Sequence, residues 1–309
     1  MGVTEQQSFA SPDEKIDGVL EIAATRDYDH VIAFASGGTD SLTAIDAYHR
    51  RHDRHGLPSI DLVVQTNTGA TVPQTLETCQ EFCRDRGLKY AEVHQANPDR
   101  KIAPRVLENG WPSQRTHGFE FINRKQDTWD GVYRSFPGDL LFISGARVAE
   151  SDRRAMNLGD GAVDFGESGD RQPRKTWVAP IHGLTDAEKK EIIKAYKIPE
   201  TLAYPVLGYS GDCVACSFDD PEILNEIRLL SPELAYALQT LIVWVYQRIR
   251  RGDIDQPLSR SVWGTKGLES DANDLPDPEQ TAFVFGGCAS CFKSCYTDGG
   301  VIATTDNEQ

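Results

Sequence analysis

Two groups of residues in this sequence have types and spacing that do chemistry. One is Ser36-Gly37-Gly38-Thr39-Asp40-Ser41, which follows an apolar run and precedes a helical pattern. Paired glycines let a backbone come close to a ligand. A helix N-terminus then offers unpaired N–H groups and a positive dipole end to an anion. Ser36, Thr39 and Ser41 add hydroxyl donors. Asp40 has the wrong sign for a phosphate, so it acts through a bound Mg²⁺ or caps the helix. The loop lacks the Gly-x-x-x-x-Gly-Lys-Ser/Thr pattern of the common P-loop.

The second group is cysteine. Cys213-Val-Ala-Cys216 and Cys288-Ala-Ser-Cys291-Phe-Lys-Ser-Cys295 hold five of the seven cysteines. Two Cys-x-x-Cys pairs can close a tetrathiolate site, and both zinc and a [4Fe–4S] cluster accept that ligand set. Five thiols for four places leave one over, as a persulfide carrier or a structural residue. Cys79 and Cys83 differ: with Val72 and Leu76 they form a helical stripe, which reads as core. His49, His52 and His55 sit among Arg and Asp near a helix end and read as a solvated terminus. Asp219 and Asp220, before Pro221, read as a turn and helix start.

The elements that position these groups alternate. Apolar runs at 31–35, 60–65, 89–93 and 140–144 read as strands, and three of them end in Gly/Ser/Thr-rich turns. Helical patterns follow from 39 and over 72–86, where Gly87 ends the helix. Such alternation implies a doubly wound parallel sheet, whose ligands lie beyond the carboxyl ends of the strands. Residues 1–16 read as a polar leader or first helix, and 151–174 as a flap. Thr185 and Glu188 form a capping box for a helix through Tyr196. Ser231-Pro232 opens a long helix closed by Gly252, and 253–280 reads as a linker or long loop.

The hexapeptide resembles the pyrophosphate loop of the N-type ATP pyrophosphatases, which split ATP between its α and β phosphates. Further segments resemble the phosphoadenosine-phosphosulfate reductase branch of that family. These are Thr66-Asn67-Thr68-Gly69 with Pro73-Gln74-Thr75, and Gly145-Ala146-Arg147-Val148-Ala149-Glu150-Ser151-Asp152-Arg153-Arg154. Pro180-Ile181 and 205–216 also match. The resemblance covers about residues 25–220 and implies an adenine nucleotide α-hydrolase-like fold. It implies ATP and Mg²⁺ as cofactors, with Ser36, Gly37, Gly38, Thr39, Asp40, Ser41, Asn67, Thr68, Gly69, Arg147 and Arg153 around the nucleotide. Ser36, Asp40 and Arg147 would carry the catalytic step. Arg147 would bind phosphate through its planar fork, the alternative being an ion pair with Glu150.

The reductases' Glu-Cys-Gly-Leu/Ile-His tail is missing, as is the Cys-Cys pair of the adenylylsulfate reductases. The best overall resemblance is to the sulfurtransferases of DNA phosphorothioation (SspD and DndC type). It implies adenylylation of an oxygen and its replacement by sulfur, with a cysteine desulfurase and DNA-nicking or DNA-binding proteins as partners. The alternatives are a reductase-like sulfonucleotide enzyme and a non-catalytic ATP-sensing scaffold. Family comparison and Cys295 favour iron–sulfur over zinc, including a form with three ligands and one open iron.

A formal charge of −15 over 309 residues argues against a large basic face, so DNA is expected to be reached only through partners. With 39% hydrophobic and 26% charged residues the chain is globular, and about 300 residues suffice for a real core. No membrane span or secretory segment is read, so the location expected is cytoplasmic, where thiols stay reduced. The expected organisation is a nucleotide domain over 17–210 and a helical extension with the cysteine cluster over 211–300. Tails at 1–16 and 301–309 flank them; oligomeric state stays open.

Overall fold

The computed structural model describes residues 10–111, 125–150, 161–166, 174–214, 223–255 and, as backbone, 303–304. Its strands are β1 (His30–Ala35), β2 (Leu62–Asn67), β3 (Tyr90–His94), β4 (Leu140–Ile143), β5 (Val163–Asp164), β6 (Lys175–Val178) and β7 (Ala303–Thr304). Its main helices are α1 (Pro12–Ala23), α2 (Thr39–His49), α3 (Pro73–Asp85) and α4 (Ile102–Asn109). They continue as α5 (Asp127–Ser135), α6 (Asp186–Tyr196), α7 (Ile223–Leu230) and α8 (Pro232–Arg251).

The sheet order is β5-β6-β4-β1-β2-β3-β7. The five central strands are parallel, and the two short edge strands are antiparallel. This is the doubly wound α/β sheet that the alternation implies. Chain order reverses between β1 and β4, which opens a crevice at their carboxyl ends. Ala33 aligns with Val63 on one side and Ile143 on the other.

Parallel strands are buried on both faces, which is why β1 reads as an unbroken apolar run. Successive side chains alternate between two cores. Val31, Ala33, Ala35, Val63, Leu141 and Ile143 pack with Ile16 and Leu20 of α1, Leu42 and Ile45 of α2, and Cys79 and Phe82 of α3. Ile32, Phe34, Val64, Leu140 and Phe142 pack on the other face with Val132 of α5. Each such large side chain contributes about 1.5–3 kcal/mol when buried.

A second, helical core forms beside the sheet. Leu224 and Ile227 of α7, Leu238, Leu241, Ile242 and Val245 of α8, and Ile102 and Val106 of α4 pack with Ala70, Val72, Trp111 and Val214. The helical layer is thereby tied to the loop that follows β2.

Several local expectations need adjusting. α1 starts at Pro12, with Ser11 and Glu14 making a capping box. Residues 1–9 lie outside the described residues. The His49–His55 stretch is not a solvated terminus, because α1 presents two carboxylates to it. Arg51 is buried and pairs with Asp13 and Asp17, and His55 Nε2 lies 3.1 Å from Asp17. Part of the expected flap is sheet instead: Val163 pairs with Val178 at the edge. Residues 151–160, 167–173, 215–222 and the linker beyond 255 lie outside the described residues, and Asp219 and Asp220 with them. Among the described residues, no helix is long and apolar enough to cross a membrane.

Candidate functional site

The loop after β1 sits at the sheet's switch point. Gly37 has φ +73°, and a Cβ there would stand 2.2 Å from Thr75 Cγ2, so only glycine fits. Gly38 is the N-cap of α2 and supplies no side-chain cap, which leaves the first-turn N–H groups uncapped. Ser41 Oγ, buried, donates to the Gly38 carbonyl at 2.8 Å and accepts from the Ser36 N–H at 3.1 Å. Ser36 Oγ lies 3.2 Å from Ser41 Oγ and accepts weakly from the Gly38 N–H. Thr39 is buried. The serine hydroxyls therefore hold the loop in shape as well as lining it.

The loop after β4 presses on the same helix. A Cβ on Gly145 would lie 2.6 Å from Ser41 N and Cα, so a glycine lets the two loops touch. Two residues on stands Arg147, 2% exposed. Its Nε donates to Asp40 Oδ1 at 2.7 Å, its Nη2 to Asp186 Oδ1 at 2.9 Å, and its Nη1 to the Leu184 carbonyl at 3.2 Å. Lys189 Nζ lies 2.9 Å from Asp40 Oδ1 as well.

Arg147 is thus paired with Asp40 and Asp186. Burial alone would lower its pKa, but the two carboxylates more than offset this, and it stays charged. Arg147 in turn holds Asp186 below the usual carboxylate range. Asp40 does not cap α2, whose N-cap is Gly38; it sits in an ion-pair cluster. Its carboxylate is partly exposed, with both cations on one oxygen. One such carboxylate beside the first turn of α2 has the chemistry to hold Mg²⁺, which keeps most of its waters and takes few protein ligands.

The turn after β2 completes the rim. Asn67 Oδ1 accepts from the Gly69 N–H at 2.8 Å, and Asn67 Nδ2 donates to Glu92 at 2.7 Å. Thr68 is buried, and its N–H donates to Thr71 Oγ1 at 3.1 Å. Gly69 has φ +81°.

The segment carrying the first cysteine is laced to this rim. The Val72 N–H donates to Gly211 O at 2.9 Å, the Val214 N–H to Ala70 O at 2.9 Å, and Thr71 Oγ1 to Asp212 O at 2.7 Å. Thr75 Oγ1 donates to Ser210 O. Ser210 also lies 3.6 Å from where a Gly38 Cβ would stand. Cys213 is therefore on a segment beside the loop between β1 and α2, half-buried and not in a disulfide. Its thiol suits a thiophilic metal or cluster. Cys216, Cys288, Cys291 and Cys295 lie outside the described residues, as does Arg153. Among the described residues, no group of three His, Cys, Asp or Glu side chains is placed to hold a metal.

Cys79 and Cys83 are buried in the first core. Burial pushes the Cys79 thiol well up, Cys83 and Asp212 add to this, and a hydrogen bond from the Gly37 backbone only partly offsets it. Cys83 is pushed up to about 12, again by burial. Both are protonated packing residues.

Sequence reading missed Lys189 and Asp186 in the site, because helical spacing does not reveal that α6 faces the start of α2. It also missed His182. That residue is buried in the turn after β6, its Nε2 has no hydrogen-bond partner, and its carbonyl accepts the Val148 N–H at 3.1 Å. Burial lowers its pKa, so it is neutral at pH 7.

No family model matches the chain. Over 90 residues it is 29% identical to a glutamine-dependent NAD(+) synthetase of Mycobacterium leprae, covering 29% of this chain and 13% of that one. The chain thus spans about an eighth of the length of the curated relative it matches. Among solved structures it is similar to a phosphoadenylyl-sulfate reductase of Candida auris, at 14% identity and a TM-score of 0.42, covering 65% of this chain and 91% of that one. It is similar to the U34-tRNA thiolase NcsA of Methanococcus maripaludis with its [4Fe-4S] cluster, at 15% identity and 0.43, covering 78% and 77%. It is also similar to the NH3-dependent NAD synthetase of Campylobacter jejuni, at 16% and 0.41, covering 86% and 96%. Likenesses this distant assign no activity.

Proposed function

We propose that this chain is an ATP pyrophosphatase that adenylylates an oxygen of its substrate for replacement by sulfur, the acceptor being a non-bridging phosphate oxygen of DNA. The observation that carries the reading is the lacing of the Cys213 segment onto the rim of the phosphate loop. A sulfur-handling cluster and a nucleotide site then share one edge of the sheet.

In this reading the substrate oxygen attacks the α-phosphorus of ATP, the α–β bridging bond breaks, and pyrophosphate leaves. A sulfur nucleophile then attacks the adenylylated centre, and AMP departs with the oxygen. The first-turn N–H groups of α2 hold phosphate oxygens, with Ser36 lining the loop. Asp40 would hold Mg²⁺, which neutralises phosphate charge. Arg147, locked by Asp186 and Leu184, fixes Asp40 in place. Four of the five cysteines Cys213, Cys216, Cys288, Cys291 and Cys295 would hold a [4Fe–4S] cluster, which would carry sulfide; zinc is the alternative occupant. A cysteine desulfurase would supply sulfur, and partner proteins the DNA, in a reducing cytoplasm.

The test is pyrophosphate release from ATP in the presence of a desulfurase, cysteine and DNA. Phosphorothioate dinucleotides are counted by mass spectrometry after nuclease digestion. Ser36→Ala and Asp40→Ala should each abolish both signals. Sulfite release from a sulfonucleotide without ATP consumption would replace this reading with a reductase-like one. ATP binding without turnover would make the chain a sensing subunit.

A further inference from the structure

The cluster around Asp40 has an internal cation whose position the nucleotide site does not need when empty. Four charged groups meet there: Asp40, Asp186, Arg147 and Lys189. Two positive and two negative charges cancel. Cations already paired with the site's own carboxylates attract a polyphosphate less than free ones do.

The two cations are held differently. Arg147 is fixed on three sides, by Asp40, Asp186 and the Leu184 carbonyl. Lys189 projects from α6 on a flexible four-carbon stem, and its side chain is 12% exposed. A buried ammonium needs an anion. Asp40 Oδ1 supplies it, at 2.9 Å, while accepting Arg147 Nε at 2.7 Å. Two cations on one oxygen repel each other, and the one on the flexible stem is the one that can leave.

We propose that Lys189 is a phosphate ligand held in reserve on Asp40. With the carboxylate engaged by a divalent cation, the ammonium loses its partner and turns to the nearest remaining anion, the β- and γ-phosphates of the nucleotide. The inference rests on the nucleotide reading above and names a residue for it. Lysine suits the role, since it binds phosphate as a point charge that needs no fixed fork. The swap couples metal and nucleotide, because each removes the other's competitor.

The experiment measures binding of α,β-methylene-ATP and of AMP by calorimetry, with and without Mg²⁺, to the full chain and to K189M and K189R. Thermal melts confirm that the variants fold. One charge-assisted hydrogen bond corresponds to about tenfold to hundredfold in affinity. K189M should weaken binding of the Mg²⁺ complex by about tenfold or more, leave AMP within about twofold, and be largely rescued by K189R. Mn²⁺ titration followed by electron paramagnetic resonance should show tighter metal binding to K189M, because the competing ammonium is gone. Equal weakening for AMP, or unchanged binding of both the analogue and Mn²⁺, would overturn the proposal while leaving the nucleotide reading intact. If the unmodified chain binds no adenine nucleotide, the nucleotide reading fails and the phosphate role of Lys189 falls with it.

Discussion

Arg147 shows how one buried side chain organises the site. A guanidinium out of water needs its donors satisfied, and this one meets two carboxylates and a carbonyl. His182, two residues before Leu184, is the opposite case: its Nε2 is buried without a partner. His49 likewise has a buried, unpartnered Nδ1, and burial lowers its pKa, with His52 adding to this. For both, the unfolded chain takes up the proton first, near pH 6.5. In that range the unfolded state binds more protons than the native state, so stability rises with pH. The carboxylates with lowered values, Asp186, Glu188, Glu14, Asp17 and Glu92, behave differently: their contribution is lost only as pH falls below about 4.5. The interval from pH 7.5 to 5.5 therefore isolates the histidines. Urea unfolding across it should show falling stability on acidification, and His182→Gln should flatten the slope. An unchanged slope would mean that His182 has the same proton affinity in the native and unfolded states.

At the level of elements, two glycines make opposite cases. Gly145 sits where the β4 loop meets α2, and a methyl group there would collide with backbone atoms of Ser41. Backbone cannot yield as a side-chain tip can, so Gly145→Ala should cost about 1–3 kcal/mol and weaken nucleotide binding. Gly131 lies inside α5 with nothing near a Cβ, so Gly131→Ala should stabilise by about 0.4–1 kcal/mol. Chemical denaturation of the two variants checks both signs. The same elements show what is legible in sequence. β1, β2 and β4 are readable because strands buried on both faces are unbroken apolar runs ending in small polar residues. α4 is not, because Pro104 resembles a breaker, although in a first turn its missing N–H costs nothing. β6 is hidden because Lys175 and Thr176 dilute its apolar signal. The loop residues are readable from local spacing, whereas Lys189 reaches Asp40, and Asp186 reaches Arg147, only through the tertiary placement of α6.

For the whole molecule, the question is how far the sheet half and the helical half are independent. A boundary near residue 210 is expected from sequence. Yet Ala70 and Val72, in the loop after β2, share a core with Ile227 of α7 and Leu241 of α8. Three hydrogen bonds from the same rim also hold the Gly211–Val214 segment. A rim shared this way transmits a defect in the helices to the loop. Leu241→Ala removes a fully buried side chain and should cost about 2–5 kcal/mol. If the halves are coupled, that loss lowers one common transition. Tryptophan fluorescence reports both cores, through Trp111 in the helical one and Trp129 and Trp177 against the sheet. Fluorescence and far-ultraviolet circular dichroism should then melt together in the parent chain and shift together in the variant. The variant should also bind nucleotide more weakly at temperatures below its melt. Two separated transitions, with only the first moved by Leu241→Ala, would instead make the helical layer a separate domain.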